Sequence, residues 1–272
     1  MKEIDFYSIT KEELVRKALA YVKDKLKIDN PIAIYISGSR LRRWNTEKSD
    51  FDLFAIVKED PEKILYGKFT SQEKHFNIDK IGVDLNIKGF SPLYKMIING
   101  DPNVIELFSE KPLWTSEDLY RNEQSLNLIK WLNEPQGHDT VLQANFIRFI
   151  KAGAGMIKSA KKKLQHHKTI RASKDLATAA LWLDYADEAI VNESFPNPEY
   201  QMNVSEAYTL RRRIGDNALT EEEILQEIRL LEEKATILKE KAYAKNVDYD
   251  EQSRQSRAIL SAKFVRPMVS ES

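Results

Sequence analysis

Apolar positions recur along the first 110 residues in two different periods. After Thr10, the residues Leu14, Ala18, Val22 and Leu26 repeat at helical spacing behind a Thr10–Glu13 capping box. The pattern predicts a helix over about 11–26, closed by Asn30-Pro31. Three runs then read as strands: 32–37, 50–57 and 81–88. In the second, Leu53, Ala55 and Val57 share the face of Phe51, while Phe54 and Ile56 follow Asp52 on the other. Both faces beyond Asp52 are apolar, as in a strand covered on both sides with its acidic end at an edge or cleft. The third run alternates as well, with Val83, Leu85 and Ile87 opposite Gly82, Asp84 and Asn86. Between the strands, 40–49 reads as a short helical turn and then a loop, 62–67 as a turn or short helix, and 69–80 as polar and poorly patterned.

Ser91-Pro92 predicts the start of a helix with Leu93, Met96 and Ile97 inward, and Gly100-Asp101-Pro102-Asn103 its break, with a short helix at 104–108. Strands are expected to stop at Lys111-Pro112. Beyond residue 116 the pattern is helical, at about 117–133, 139–166, 171–194, 204–214 and 220–245. The last has a Thr220–Glu223 capping box and apolar positions at Ile224, Ile228, Leu231, Ile237 and Leu238.

The length, 272 residues, suits one large domain or two smaller ones. With 42 basic and 42 acidic residues the formal net charge is zero, which argues against a non-specific nucleic-acid coat but permits a local basic groove. The absence of cysteine excludes a disulfide framework, a thiolate zinc site and a cysteine nucleophile. No apolar run is long enough to cross a membrane, and the acidic start MKEIDFYSITKEEL lacks the apolar stretch of a signal peptide, so a cytoplasmic protein is expected.

The chemistry concentrates between Ile32 and Val57. An apolar run ends at Gly38-Ser39, a basic segment follows (Arg40, Arg42, Arg43, Lys48), and Asp50 and Asp52 open the next run on one strand face. Two carboxylates on one face repel, and a hard cation such as Mg²⁺ removes the repulsion. A Gly-Ser turn offers backbone N–H groups and a hydroxyl to an anion. Alone, an Asp-x-Asp pair is most often a solvated strand end and a Gly-Ser a plain turn. Asp84, on the polar face of a third strand, adds a third carboxylate. In the helical half, Lys161–Lys163 and Arg211–Arg213 read as solvated faces or as a basic surface for nucleic-acid phosphates. His75 and His138 have no acid or histidine at ligand spacing, and His166-His167 are adjacent and make a poor metal pair.

This order of Gly-Ser, Asp-x-Asp and a later strand Asp resembles the polymerase-β-like nucleotidyltransferase superfamily over residues 10–110. The strings GS…SDFDLFAIV and NGDPNVIELFSEK are similar to a phage and bacterial branch associated with RNA repair. That branch typically reads GSxxxGxxxxxSDxDLxGV; here Arg43 stands at its middle Gly and Ala55 at the later one. The resemblance implies an α/β (α+β) nucleotidyltransferase domain with a small mixed sheet over 1–115, and an all-α helical domain over 116–272. It implies transfer of a nucleoside monophosphate from an NTP, with ATP among the candidates, to a hydroxyl on a nucleic-acid end, with a cleft between the domains as the site. Asp50, Asp52 and Asp84 would be catalytic and hold two Mg²⁺ (or Mn²⁺) ions. Gly38, Ser39, Arg40, Arg43 and Lys174 would bind the nucleotide, with Arg42 another candidate to neutralise its charge. The partners implied are an NTP and an RNA or DNA acceptor, with no membrane. Two alternatives stand beside it: the same chemistry on a small molecule or protein side chain, and a catalytically inactive relative that binds RNA or protein.

Overall fold

The computed structural model describes residues 6, 9–28, 31–45, 49–58, 66, 68, 70–117, 129–143, 145–192, 207, 210, 219–244, 254 and 258. Two compact units are formed. One comprises the described residues of Met1–Ile98 and Asn103–Gly137, and the other those of Asn99–Pro102 and His138–Ile259. This division falls at 137/138, whereas the expected boundary is 115/116, and Asn133, before it, still serves the sheet: Asn133 Nδ2 donates to Tyr35 Oη at 2.8 Å.

The first unit is built on a mixed five-stranded sheet of order β3-β4-β2-β1-β5. Its strands are β1 Pro31–Ile36, β2 Phe51–Val57, β3 Ser71–Ile78, β4 Ile81–Gly89 and β5 Trp114–Thr115. β2 and β4 run parallel, and the other pairs are antiparallel. Helix α1, Lys11–Ala20, starts at the expected cap, where Glu13 N–H donates to Thr10 Oγ1 at 3.1 Å, and continues as a π-helical stretch, Tyr21–Lys25. Tyr21 stacks on Phe76 of β3 at 4.3 Å and Phe6 on Phe51 at 6.1 Å, so this end of the chain covers the Phe51 face. On that face Phe51, Leu53, Ala55 and Val57 lie in register with Val83, Leu85, Ile87 and Gly89. Burying each large apolar side chain there contributes about 1.5–3 kcal/mol. On the opposite face Tyr35 pairs with Phe54 and meets Phe108 edge-on at 5.4 Å. Both faces beyond Asp52 are thus covered, as the alternation implies.

A four-residue helix, α2 (Gly38–Leu41), follows β1. Helices α3 (Phe90–Ile98) and α4 (Pro102–Leu107) follow β4. α3 begins one residue before the expected Ser91, and Leu93 and Ile97 are its buried positions. Two expectations are corrected. The polar stretch 69–80 contains β3, an edge strand whose outer positions are exposed, so it carries little hydrophobic signal. Strands also do not stop at Lys111-Pro112: β5 pairs with β1 through Ala33–Thr115 and Ile34–Trp114, too short to show a period.

The second unit is helical: α5 (Pro135–Gln143, which begins in the first unit), α6 (Phe146–Gln165), α7 (Thr169–Asn192) and α8 (Glu221–Ala244). The single helix expected over 139–166 is two, the first ending at Gln143 and the second beginning at Phe146. Asn145 turns its side-chain amide back to Val141 O at 2.8 Å. α6 and α7 pack closely at Gly153, where a Cβ would come within 3.0 Å of Leu183. α8 opens on a reciprocal capping box: Glu223 N–H donates to Thr220 Oγ1 and Thr220 N–H to Glu223 Oε2. Its buried positions are Ile224, Ile228, Leu231, Ala235, Leu238 and Ala242, while Ile237 faces solvent. Most of the segments expected to be helical at 62–67, 204–214 and 117–133 lies outside the described residues; of those described, 129–132, Ala207 and Leu210 are helical and Tyr66 is in a turn.

Candidate active site

Strand pairing brings the three acids to one face of the sheet. β2 and β4 run parallel with Asp52 opposite Asp84, so the two carboxylates start from neighbouring backbones about 4.8 Å apart. Asp50 immediately precedes β2, and its carboxylate lies over Gly82, where an added Cβ would fall 2.3 Å from Asp50 Oδ1. Gly82 and Asp84 are two apart on β4 and share a face. Asp50 and Asp84 are exposed and Asp52 is half-buried.

Gly38 explains why the turn after β1 must be glycine. Its φ is +61°, and a Cβ there would fall 2.1 Å from Asp52 Oδ2. Ser37 N–H donates to Asp52 O at 2.8 Å, locking the turn onto β2. The Ser39 N–H also serves Asp52, donating to its carboxylate. That donor is therefore engaged by an acid of the site, where the sequence suggested an anion.

The Asp52 carboxyl is pushed above its ordinary range. Burial is the largest cause, followed by the neighbouring charge of Asp84; Asp50 adds to it, and the Ser39 N–H and Arg42 act the other way. A site that raises the proton affinity of a carboxylate by crowding it with others fits a cation in its donor chemistry, since hard oxygens are the ligands of Mg²⁺ and Mn²⁺. Among the described residues, however, no three histidine, aspartate or glutamate side chains converge as a metal cluster. Asp84 is turned to a partner that sequence reasoning missed.

That partner is His75. β3 pairs antiparallel with β4, setting His75 opposite Asp84, and its Nδ1 lies 2.7 Å from Asp84 Oδ1. The expectation that His75 has no acid partner is thus overturned: the two are nine residues apart but adjacent across a hairpin. Asp52, Asp84, His75, Glu73, Asn86 and Ser37 line a cleft of about 530 Å³. The Asn86 side-chain oxygen is buried there with no hydrogen-bond partner.

The arginines of the basic segment hold the scaffold. Arg40, expected to bind nucleotide, is 1% exposed: its guanidinium sits 3.6 Å over the Phe51 ring and donates to Ser49 O (2.6 Å) and Asp50 O (3.3 Å). It fixes the backbone that presents Asp50. Arg42 makes a two-pronged ion pair with buried Glu106, the shortest contact 2.7 Å. Arg43, the other arginine expected to bind nucleotide, pairs with Glu110 at 2.8 Å and donates to Arg40 O. Arg43 has a φ of +58°, the left-handed region, in a non-glycine residue. Both glutamates belong to the NGDPNVIELFSEK string, which these pairs tie to the segment after Gly-Ser.

Of the remaining expected residues, Lys174 is exposed on α7, in the helical unit. Lys161 pairs with Glu232 and Lys163 with Asp175, each at 2.6 Å. Arg211–Arg213 and Lys48 lie outside the described residues. No described helix is long and apolar enough to cross a membrane.

No family model and no curated protein matches the chain. Among solved structures it is similar to a nucleotidyltransferase-like protein from Exiguobacterium sibiricum 255-15, with 16% sequence identity and a TM-score of 0.35 over 81% of this chain and 74% of that one.

Proposed function

We propose that the chain is a nucleotidyltransferase that moves a nucleoside monophosphate from an NTP to a hydroxyl. The observation that carries this reading is the in-register pair Asp52–Asp84 on parallel strands, with Asp50 on the same face and Gly38 pressed against Asp52. In the reaction the hydroxyl oxygen bonds to the α-phosphorus, the bond from that phosphorus to the bridging oxygen breaks, and pyrophosphate leaves. Asp50, Asp52 and Asp84 would hold the divalent cations, Mg²⁺ or Mn²⁺. Bound there, such ions supply charge neutralisation at the phosphates and a more acidic attacking hydroxyl. The turn at Gly38-Ser39 would receive the triphosphate through the Ser39 side chain and the Gly38 backbone, and Asp84 would accept the hydroxyl proton. Arg40 and Arg43 would act indirectly, by fixing the loop. Lys174 remains a candidate triphosphate contact from the helical unit.

The acceptor we favour is a nucleic-acid end, on the resemblance to the RNA-repair branch. A second reading, a small-molecule or protein acceptor, gains from the internal pairing of Lys161 and Lys163, which weakens the basic surface a nucleic acid needs. Incubation with each α-³²P-labelled NTP and dNTP, Mg²⁺ or Mn²⁺, and tRNA, synthetic RNA or DNA separates these. Label in RNA or DNA supports the favoured acceptor. Label only in the protein itself or in an added small alcohol supports the second. Absence of any transfer, with no Mg²⁺-dependent NTP binding by calorimetry, overturns the enzymatic reading.

A further inference from the structure

We propose that His75 is the positioning residue of this site, holding the Asp84 carboxylate in the orientation in which it faces Asp52 across the β2–β4 pair. The inference rests on the nucleotidyltransferase reading for what the site does, but not for its geometry. An ionised carboxylate can only accept, so the 2.7 Å contact requires the proton on His75 Nδ1, donated to Asp84 Oδ1. One Asp84 oxygen is thereby committed to β3, and the other is left to the cleft. Register makes the contact rigid: β3 and β4 are paired at every position from Ser71–Lys88 to Ile78–Ile81, so His75 has no freedom to slide past Asp84. Its strand is anchored from the other face by the Tyr21–Phe76 stack and by buried Ile78. His75 itself is 55% exposed, so its hydrogen bond, and not packing, is what it contributes.

Orienting a ligating group by a hydrogen bond from outside the ligand set is a general device. Its loss typically lowers metal affinity or activity by 10–100-fold. The test is Mn²⁺ binding to the full-length protein, read by electron paramagnetic resonance without nucleotide, together with Mg²⁺-dependent transfer. His75→Phe removes the donor; His75→Asn keeps an N–H at nearly the same place. The expected result is Mn²⁺ affinity reduced about tenfold or more in His75→Phe and largely restored in His75→Asn, with both melting as the wild type does. Unchanged Mn²⁺ affinity in His75→Phe, or equal losses in both variants, overturns the positioning role while leaving the parent reading in place. Failure of the wild type to bind Mn²⁺ overturns this inference; the parent reading falls with it only where transfer and Mg²⁺-dependent NTP binding are absent as well.

Discussion

At the scale of single residues Asp52 carries the cost of the site, through its burial first and through the charges of Asp84 and Asp50 second. A group whose folded pKa is raised above its ordinary 3.8 costs stability once the unfolded chain can ionise it and the folded chain cannot do so as easily. Below the ordinary carboxylate range both states are protonated and nothing is lost. As pH rises through 3.8 the unfolded state sheds its proton first and stability falls, levelling off above the raised folded value. Asp52→Asn removes that loss. At neutral pH the variant should therefore melt higher than the wild type, by on the order of a few degrees. The gap should close as the pH is lowered toward 3, and nucleotide transfer should be abolished throughout. Scanning calorimetry across pH is the measurement; a variant that melts lower than the wild type at pH 7 contradicts the burial and repulsion assigned to the Asp52 carboxylate.

At the scale of elements, the segment after β1 is held by two arginine–glutamate locks to α4 and the residues just after it. Glu106 is 2% exposed, and its carboxylate receives both Nε and Nη2 of Arg42. Arg42→Ala removes a two-pronged ion pair from that buried carboxylate and should destabilise the protein, by up to about 3–5 kcal/mol, in urea unfolding. The paired replacement Arg42→Met with Glu106→Leu should cost far less, because two charges no longer have to be desolvated. Equal losses in both would mean that packing, not charge, holds this junction. Such locks mark the limit of what the chain reveals when read linearly. The apolar runs of β1 and β2 and the alternation of β4 were legible because these strands bury one face or both, and the acids stood out against them. The arginines were legible only as charge, since their acceptors lie some 64 and 67 residues away. His75 was hidden with β3. Yet the signal existed: Ile78 pairs with Ile81 around Asp79-Lys80, and counting outward from that two-residue turn sets His75 opposite Asp84 and Glu73 opposite Asn86. An exposed edge strand has little apolar alternation, so the hairpin had to be recognised from its turn, where Asp79 adopts a φ of +56°.

At the scale of the whole molecule, four described lysines of the helical unit are paired with acids on neighbouring helices. Lys161–Glu232 joins α6 to α8, Lys163–Asp175 joins α6 to α7, and Lys234–Asp184 and Lys241–Asp187 join α8 to α7. Two of the three lysines that the sequence offers as a phosphate-binding surface are therefore engaged by acids of the same unit. Asp175 is 6% exposed, so Lys163 is held where leaving would strand a buried charge. Lys162 is exposed. Each phosphate contact on a single strand contributes about 0.7 to the slope of log affinity against log salt. If all three lysines contacted phosphates, replacing them with alanine would flatten that slope by about 2. With Lys161 and Lys163 engaged inside the unit, the triple replacement should flatten tRNA binding by only about 0.7, and Lys162→Ala alone should do the same. Filter binding of labelled tRNA from low to moderate salt measures this. A flattening near 2 would mean that both ion pairs open to receive the acceptor. A slope near zero in the wild type would remove nucleic acid as the acceptor and leave the small-molecule or protein hydroxyl as the class to pursue.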